Sequence, residues 1–167
     1  AMQAMARIHD TTQRALALAA LAAALAGSQP ETAAGMARSA LSGAEAMGQA
    51  ERDALRADAA VALAPQAVPD ALALLQQVED EKLAGEALRR IVVRLARTQP
   101  AEALRMLEDV SDWQAREETL MDMLPQLAQY DAARAVELTN QVLSRRERIR
   151  GLLILAAARP AKETQQP

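Results

Sequence analysis

The chain has 167 residues, a formal net charge of −3 and no cysteine. That length suits one compact domain or a short repeat array. The missing cysteines exclude disulfides, thiolate metal sites and cysteine nucleophiles, and the acidic balance argues against general affinity for nucleic acid, which needs a positive surface to displace phosphate counterions. Half of the residues are hydrophobic (51%), yet there is no Phe, one Trp and one Tyr. The apolar material is mostly Ala and Leu, strong helix formers that let helix axes approach closely, while the β-branched and aromatic residues that strands prefer are scarce. An all-α protein is expected.

At the N-terminus, Ala1-Met2 reads as an appended start, with the natural start expected upstream. His9, the only histidine, stands beside Asp10 and reads as a surface residue. The segment Arg14–Gly27 has the apolar run and small residues of a secretory signal. The charged and polar lead that contains Asp10 argues against a signal, and the run is too short and Ala-rich to span a bilayer. An internal repeat accounts for it better.

That repeat is clearest after Gln77. Val78, Asp80, Leu88, Leu95 and Ala103 recur 32 positions later as Val110, Asp112, Leu120, Leu127 and Ala135, and Val142, Ser144 and Leu152 open a third copy. The third copy fails at Arg159-Pro160. At a shift of 70, Ile8, Asp10, Leu18, Leu25, Pro30 and Ala33 map onto Val78, Asp80, Leu88, Leu95, Pro100 and Ala103. This leaves room for one longer unit of about 38 residues, marked by Leu55, Leu63 and a distorted turn at Pro65–Pro69.

Each unit divides into two helices. Asp80 and Asp112 stand where an N-cap belongs. The first helix after Asp80 is expected to bury Leu83, Ala87, Leu88, Ile91 and Leu95 and to end near Arg94 and Arg97. Gln99-Pro100 breaks it, and Pro100 opens a short second helix that packs Ala103, Met106 and Leu107 back and closes at Val110. Pro125 falls inside the first helix of its unit and is expected to kink or shorten it. Gly85, in the helix before, costs roughly 1 kcal/mol against Ala, for which a close helix crossing is the expected reason. Such a pair leaves apolar surface that only stacking can bury. The fold expected is a short right-handed α-solenoid with a period of about 32 residues, one domain over residues 1–160 with about four helix pairs and a closing helix, followed by a flexible tail over 161–167. That tail reads as the stub of something longer.

Arg116-Glu-Glu-Thr-Leu120, Leu127-Ala and a following Ala-x-x-Leu/Met, together with Gln13-Arg-Ala-Leu-Ala-Leu18 and Gly85-Glu-Ala-Leu88, resemble bacterial helical repeats of the tetratricopeptide and HEAT-like type. The resemblance implies an α-solenoid that binds a protein or peptide on one curved face.

Catalytic signatures are missing. There is no HExxH, P-loop or GxGxxG, and no second group is placed to complete a triad with His9. No catalytic residue, metal site or cofactor is therefore expected. The acidic pairs Glu79-Asp80-Glu81, Glu108-Asp109 and Glu117-Glu118 read as caps and solvated helix faces. The densest charge feature is Arg145-Arg146-Glu147-Arg148-Ile149-Arg150, which with Arg89, Arg90, Arg94 and Arg97 would form a positive strip. Either these arginines pair with Glu117, Glu118 and Glu147, the favoured reading, or they take an acidic peptide or, less readily, nucleic acid. Trp113 corresponds to Glu81 and Arg145 in the neighbouring units and so is expected to be partly exposed. It serves either as an interface anchor or as a cover over the adjacent turn near Tyr130.

Three functions remain: a non-enzymatic protein- or peptide-binding scaffold, a nucleic-acid-binding HEAT-like repeat, or a structural domain that self-associates through a terminal repeat. The first is favoured, with nucleic acid disfavoured by charge. The terminal helix Leu152-Leu-Ile-Leu155-Ala-Ala-Ala carries a bare apolar face, expected to meet the tail or a partner. No membrane span is expected, and a cytoplasmic location is favoured over a periplasmic or secreted one.

Overall fold

In a computed structural model the described residues are 10–110 and 112–158. His9, Ser111, Arg159, Pro160 and the tail lie outside them. The α-helices are α1 (Thr11–Leu25), α2 (Pro30–Leu41), α3 (Gln49–Leu63), α4 (Val68–Leu75), α5 (Glu81–Thr98), α6 (Pro100–Glu108), α7 (Trp113–Tyr130), α8 (Ala132–Gln141) and α9 (Arg145–Ala158), with a short 3-10 turn at Ala44–Ala46. No strand occurs among the described residues, so the protein is all-α, as its Ala and Leu content requires.

Helix starts follow local chemistry. Asp10 accepts hydrogen bonds from the Thr12 and Gln13 N–H groups, Asp80 from Leu83, Asp112 from Ala115 and Asp131 from Arg134. Each satisfies donors that a helix leaves unpaired at its first turn. Gly48 offers no side chain, so Glu51 reaches back to its N–H instead. Pro30 and Pro100 open α2 and α6, and Pro69 is the second residue of α4. Proline is tolerated there because its missing N–H would have no partner anyway.

The chain divides into two compact units, Ala1–Ile91 and Val92–Pro167, with the boundary inside α5. In the first, α1 packs on α2 and α3, α2 on α3, and α3 on α4. Its core is built largely from alanines, among them Ala19, Ala22, Ala33, Ala37, Ala59 and Ala60, with Leu55 and Leu63 as the larger members. The signal-like segment is thus α1, an ordinary packed helix. In the second unit α7 is central, touching α6, α8 and α9. Its core uses larger side chains: Met106, Leu107, Leu120, Met121, Met123, Leu124 and Leu127.

Several expectations need correction. Along α5, Ala87, Ile91 and Leu95 are buried as expected, but Leu83 and Leu88 are only half-buried. Pro125 does not shorten α7, which continues for five residues to Tyr130. The proline removes one ladder hydrogen bond, and the buried Leu124 and Leu127 on either side keep the helix in place.

Gly85 does not mark a close crossing. A Cβ built there meets nothing within 4 Å, and the backbone has no positive φ. Gly85→Ala is therefore expected to stabilise the chain by about 0.5–1 kcal/mol through helix propensity and reduced unfolded-state freedom. Urea denaturation would show a higher midpoint at unchanged slope.

Candidate functional site

The second unit carries a cleft of about 570 Å³. Its walls come from α6 (Leu104, Leu107), α7 (Trp113, Leu120), α8 (Leu138) and the short α8–α9 connection (Val142, Leu143). Trp113 is the first residue of α7, placed by the Asp112 cap, and stands 54% exposed at the cleft. Leu143, 75% exposed, forms a second apolar lip. Two large apolar side chains left in water around a concave surface are the feature to explain, since single exposed leucines on convex surfaces are ordinary.

The Leu143 lip is fixed from both sides. The Glu117 carboxylate accepts hydrogen bonds from the Leu143 and Ser144 N–H groups. Arg148 donates through Nε (3.0 Å) and Nη2 (2.6 Å) to the Val142 carbonyl oxygen. Glu117 is therefore not the solvated face expected from the sequence: its carboxylate is committed to backbone 26 residues later. The first unit repeats the arrangement. Asp53, 64 residues before Glu117 and only 3% exposed, accepts from the Glu79 and Asp80 N–H groups and from Gln49 Nε2. These carboxylates are latches that set where the next helix begins. The sequence signal for them is the 64-residue separation of the two acids, which no acidic-pair motif captures.

Charge around the cleft is mixed. Arg105 pairs with Glu102, which pushes the Arg105 guanidinium pKa up and keeps it cationic. Arg134 pairs with Glu137, and Arg116 and Glu108 complete the polar rim. In the first unit a shallow hollow around Gln49, Arg52, Arg56 and Glu79 offers less. Its arginines already serve the Met47 and Gln77 carbonyl oxygens.

The predicted arginines are not used alike. Arg90 is bound to Asp58 at 2.8 Å, Arg150 to Glu147 at 3.2 Å, and Arg148 to the Val142 carbonyl. Arg94 also makes an interaction of its own. Arg145 and Arg146 are exposed. Trp113 does not cover Tyr130: the two stand at opposite ends of α7, whose 18 residues span about 27 Å.

Among the described residues no cluster of acids or histidine could hold a metal ion, and no helix is long and apolar enough to cross a membrane. No protein-family model matches the chain, and neither a curated protein nor a solved structure matches it.

Proposed function

We propose that this chain is a non-enzymatic interaction domain that binds a protein segment in the cleft of its second unit. The observation that carries this is the fixed apolar rim. Trp113 is placed by a helix cap, and Leu143 sits on backbone held by Glu117 and Arg148. A binding surface held in place before the partner arrives loses little entropy on association, and aromatic anchors at such sites dominate affinity. The mixed-charge rim suits a polypeptide better than a nucleic acid, because most of the arginines already have acid or carbonyl partners.

The architecture we favour for it is a helix-pair repeat of about 32 residues. In its support, successive first helices begin at Gln49, Glu81, Trp113 and Arg145, and second helices at Val68, Pro100 and Ala132, each 32 residues apart. The first pair begins 38 residues before the second, at Thr11 and Pro30. By likeness to tetratricopeptide and HEAT-like repeats the role is that of a scaffold, with a cytoplasmic setting favoured.

The test uses Trp113 itself. As the only tryptophan it reports the cleft directly. A partner captured from source-cell lysate and then purified should blue-shift its emission on titration. Trp113→Ala should weaken that complex by about 2 kcal/mol or more, roughly thirtyfold in Kd. Unchanged emission and equal capture by the variant would refute the cleft as the binding site. Capture of nucleic acid in place of protein would favour the HEAT-like alternative.

A further inference from the structure

Among the described residues nothing covers the outward face of α9. Ile149, Leu152 and Leu153 are 52%, 42% and 66% exposed, and Ala156 is exposed beside them. Their spacing puts all four on one stripe of the helix. The opposite side of α9 holds it in the unit, where Gly151 and Leu155 are buried. One turn toward the N-terminus, the stripe continues into Arg145 and Arg146. Both are exposed, and neither forms an ion pair among the described residues.

The two arginines stand against local physics. A helix N-terminus is electropositive and favours acids, and α2, α3, α4, α5 and α6 each place an acid in their first turn. In α9, Glu147 is the first-turn acid and is already taken by Arg150. Two more cations at this end therefore raise the energy of the free helix, a local conflict that an anionic partner would relieve.

The apolar part of the stripe has a precedent in the same unit. Thirty-two residues earlier, Leu120, Met121 and Leu124 of α7 stand where Leu152, Leu153 and Ala156 stand in α9 and are buried, while the half-buried Glu117 stands in the place of Ile149, and α7 packs on α8 and α9. The α9 stripe repeats a helix-receiving face. We infer that it docks an amphipathic helix of a partner protein, apolar along one side and acidic at the end that overlies Arg145 and Arg146. A second copy of this chain fits less well. Two α9 stripes laid together, parallel or antiparallel, offer Arg145 and Arg146 no carboxylate that is not already paired. A partner helix running antiparallel would also bring its electronegative C-terminus to the cationic end. No α9 residue lines the Trp113 cleft, so this inference does not rest on the function proposed for that cleft.

The test is fluorescence anisotropy with two synthetic helical peptides against the full chain. Each carries leucines at i, i+3, i+4 and i+7; one ends in glutamates and its twin in lysines. The acidic peptide should bind at least about tenfold more tightly than its twin, with affinity that falls as salt rises. Leu153→Glu should abolish binding. Arg145→Glu combined with Arg146→Glu should reverse the preference between the peptides, a change that loss of folding cannot mimic. Trp113→Ala should leave binding unchanged, which separates this surface from the cleft. Equal binding of the two peptides, or of neither, would overturn the inference. So would a sedimenting dimer of the chain that Leu153→Glu dissolves, since a second copy would then occupy the stripe.

Discussion

Gly151→Ala should lower the stability of the chain by about 1–3 kcal/mol, the cost of overpacking a filled core. A Cβ on Gly151 would stand 2.7 Å from Thr139 Cγ2 and 3.2 Å from both Leu124 Cδ1 and Met121 Cε. The leucine and methionine ends can move by a few tenths of an ångström. Thr139 cannot do so cheaply. It is fully buried, and its hydroxyl donates to the Ala135 carbonyl at 2.8 Å, so rotating the methyl away breaks a buried hydrogen bond. Helix propensity works in the other direction, since alanine gains about 0.5–1 kcal/mol over glycine inside a helix. The steric term is larger, so the net sign is destabilising. Gly85→Ala, with open space around it, is the matched control and should have the opposite sign. In thermal melts the Gly151 variant should lose about 2–4 °C per kcal/mol. Adding Thr139→Ser removes the obstructing methyl, and the double variant should recover much of the loss, a coupling that a double-mutant cycle reads directly. A neutral Gly151→Ala would mean that α9 sits less tightly on α8 than the structure has it.

These two glycines also show how far the sequence could be read. Capping aspartates and opening prolines announce helix boundaries through bonds within one or two turns, so Asp80, Asp112 and Pro100 were legible. A glycine says only that a Cβ is missing. Gly85 was expected at a close crossing and faces open space, while Gly151 meets a buried threonine. The difference lies in residues far along the chain, which no local pattern reports. The candidate site divides in the same way. Exposure of Trp113 followed from the charged residues at its repeat positions. The Leu143 lip did not, because it depends on Glu117 reaching backbone 26 residues away.

The latches carry the second large expectation, Asp53→Ala. The Asp53 carboxylate is almost wholly buried and serves three donors: Gln49 Nε2 at 2.9 Å, the Glu79 N–H at 3.2 Å and the Asp80 N–H at 3.1 Å. The two backbone donors lie just ahead of α5, where Asp80 caps the next helix, so the latch sets both the path of the chain and the place where α5 begins. Hydrogen bonds to a charged acceptor contribute about 1.5–3 kcal/mol each, and part-buried donors left unpaired add a penalty of similar size. Water reaching the segment offsets part of this, which leaves an expected loss of about 2–4 kcal/mol. Asp53→Asn keeps one acceptor oxygen and should cost roughly half as much. Glu117→Ala should cost less than Asp53→Ala, because Glu117 is only half-buried and its bond to the Ser144 N–H is long at 3.4 Å. Denaturation gives the total, and hydrogen exchange gives the location. The Glu79 and Asp80 amides should lose protection in Asp53→Ala, and the Leu143 and Ser144 amides in Glu117→Ala. If the Glu79 and Asp80 amides stay protected, packing of the buried Val78 holds the segment and the carboxylate is dispensable. If they exchange freely while α5 keeps its protection, the latch orders the turn but does not start the helix.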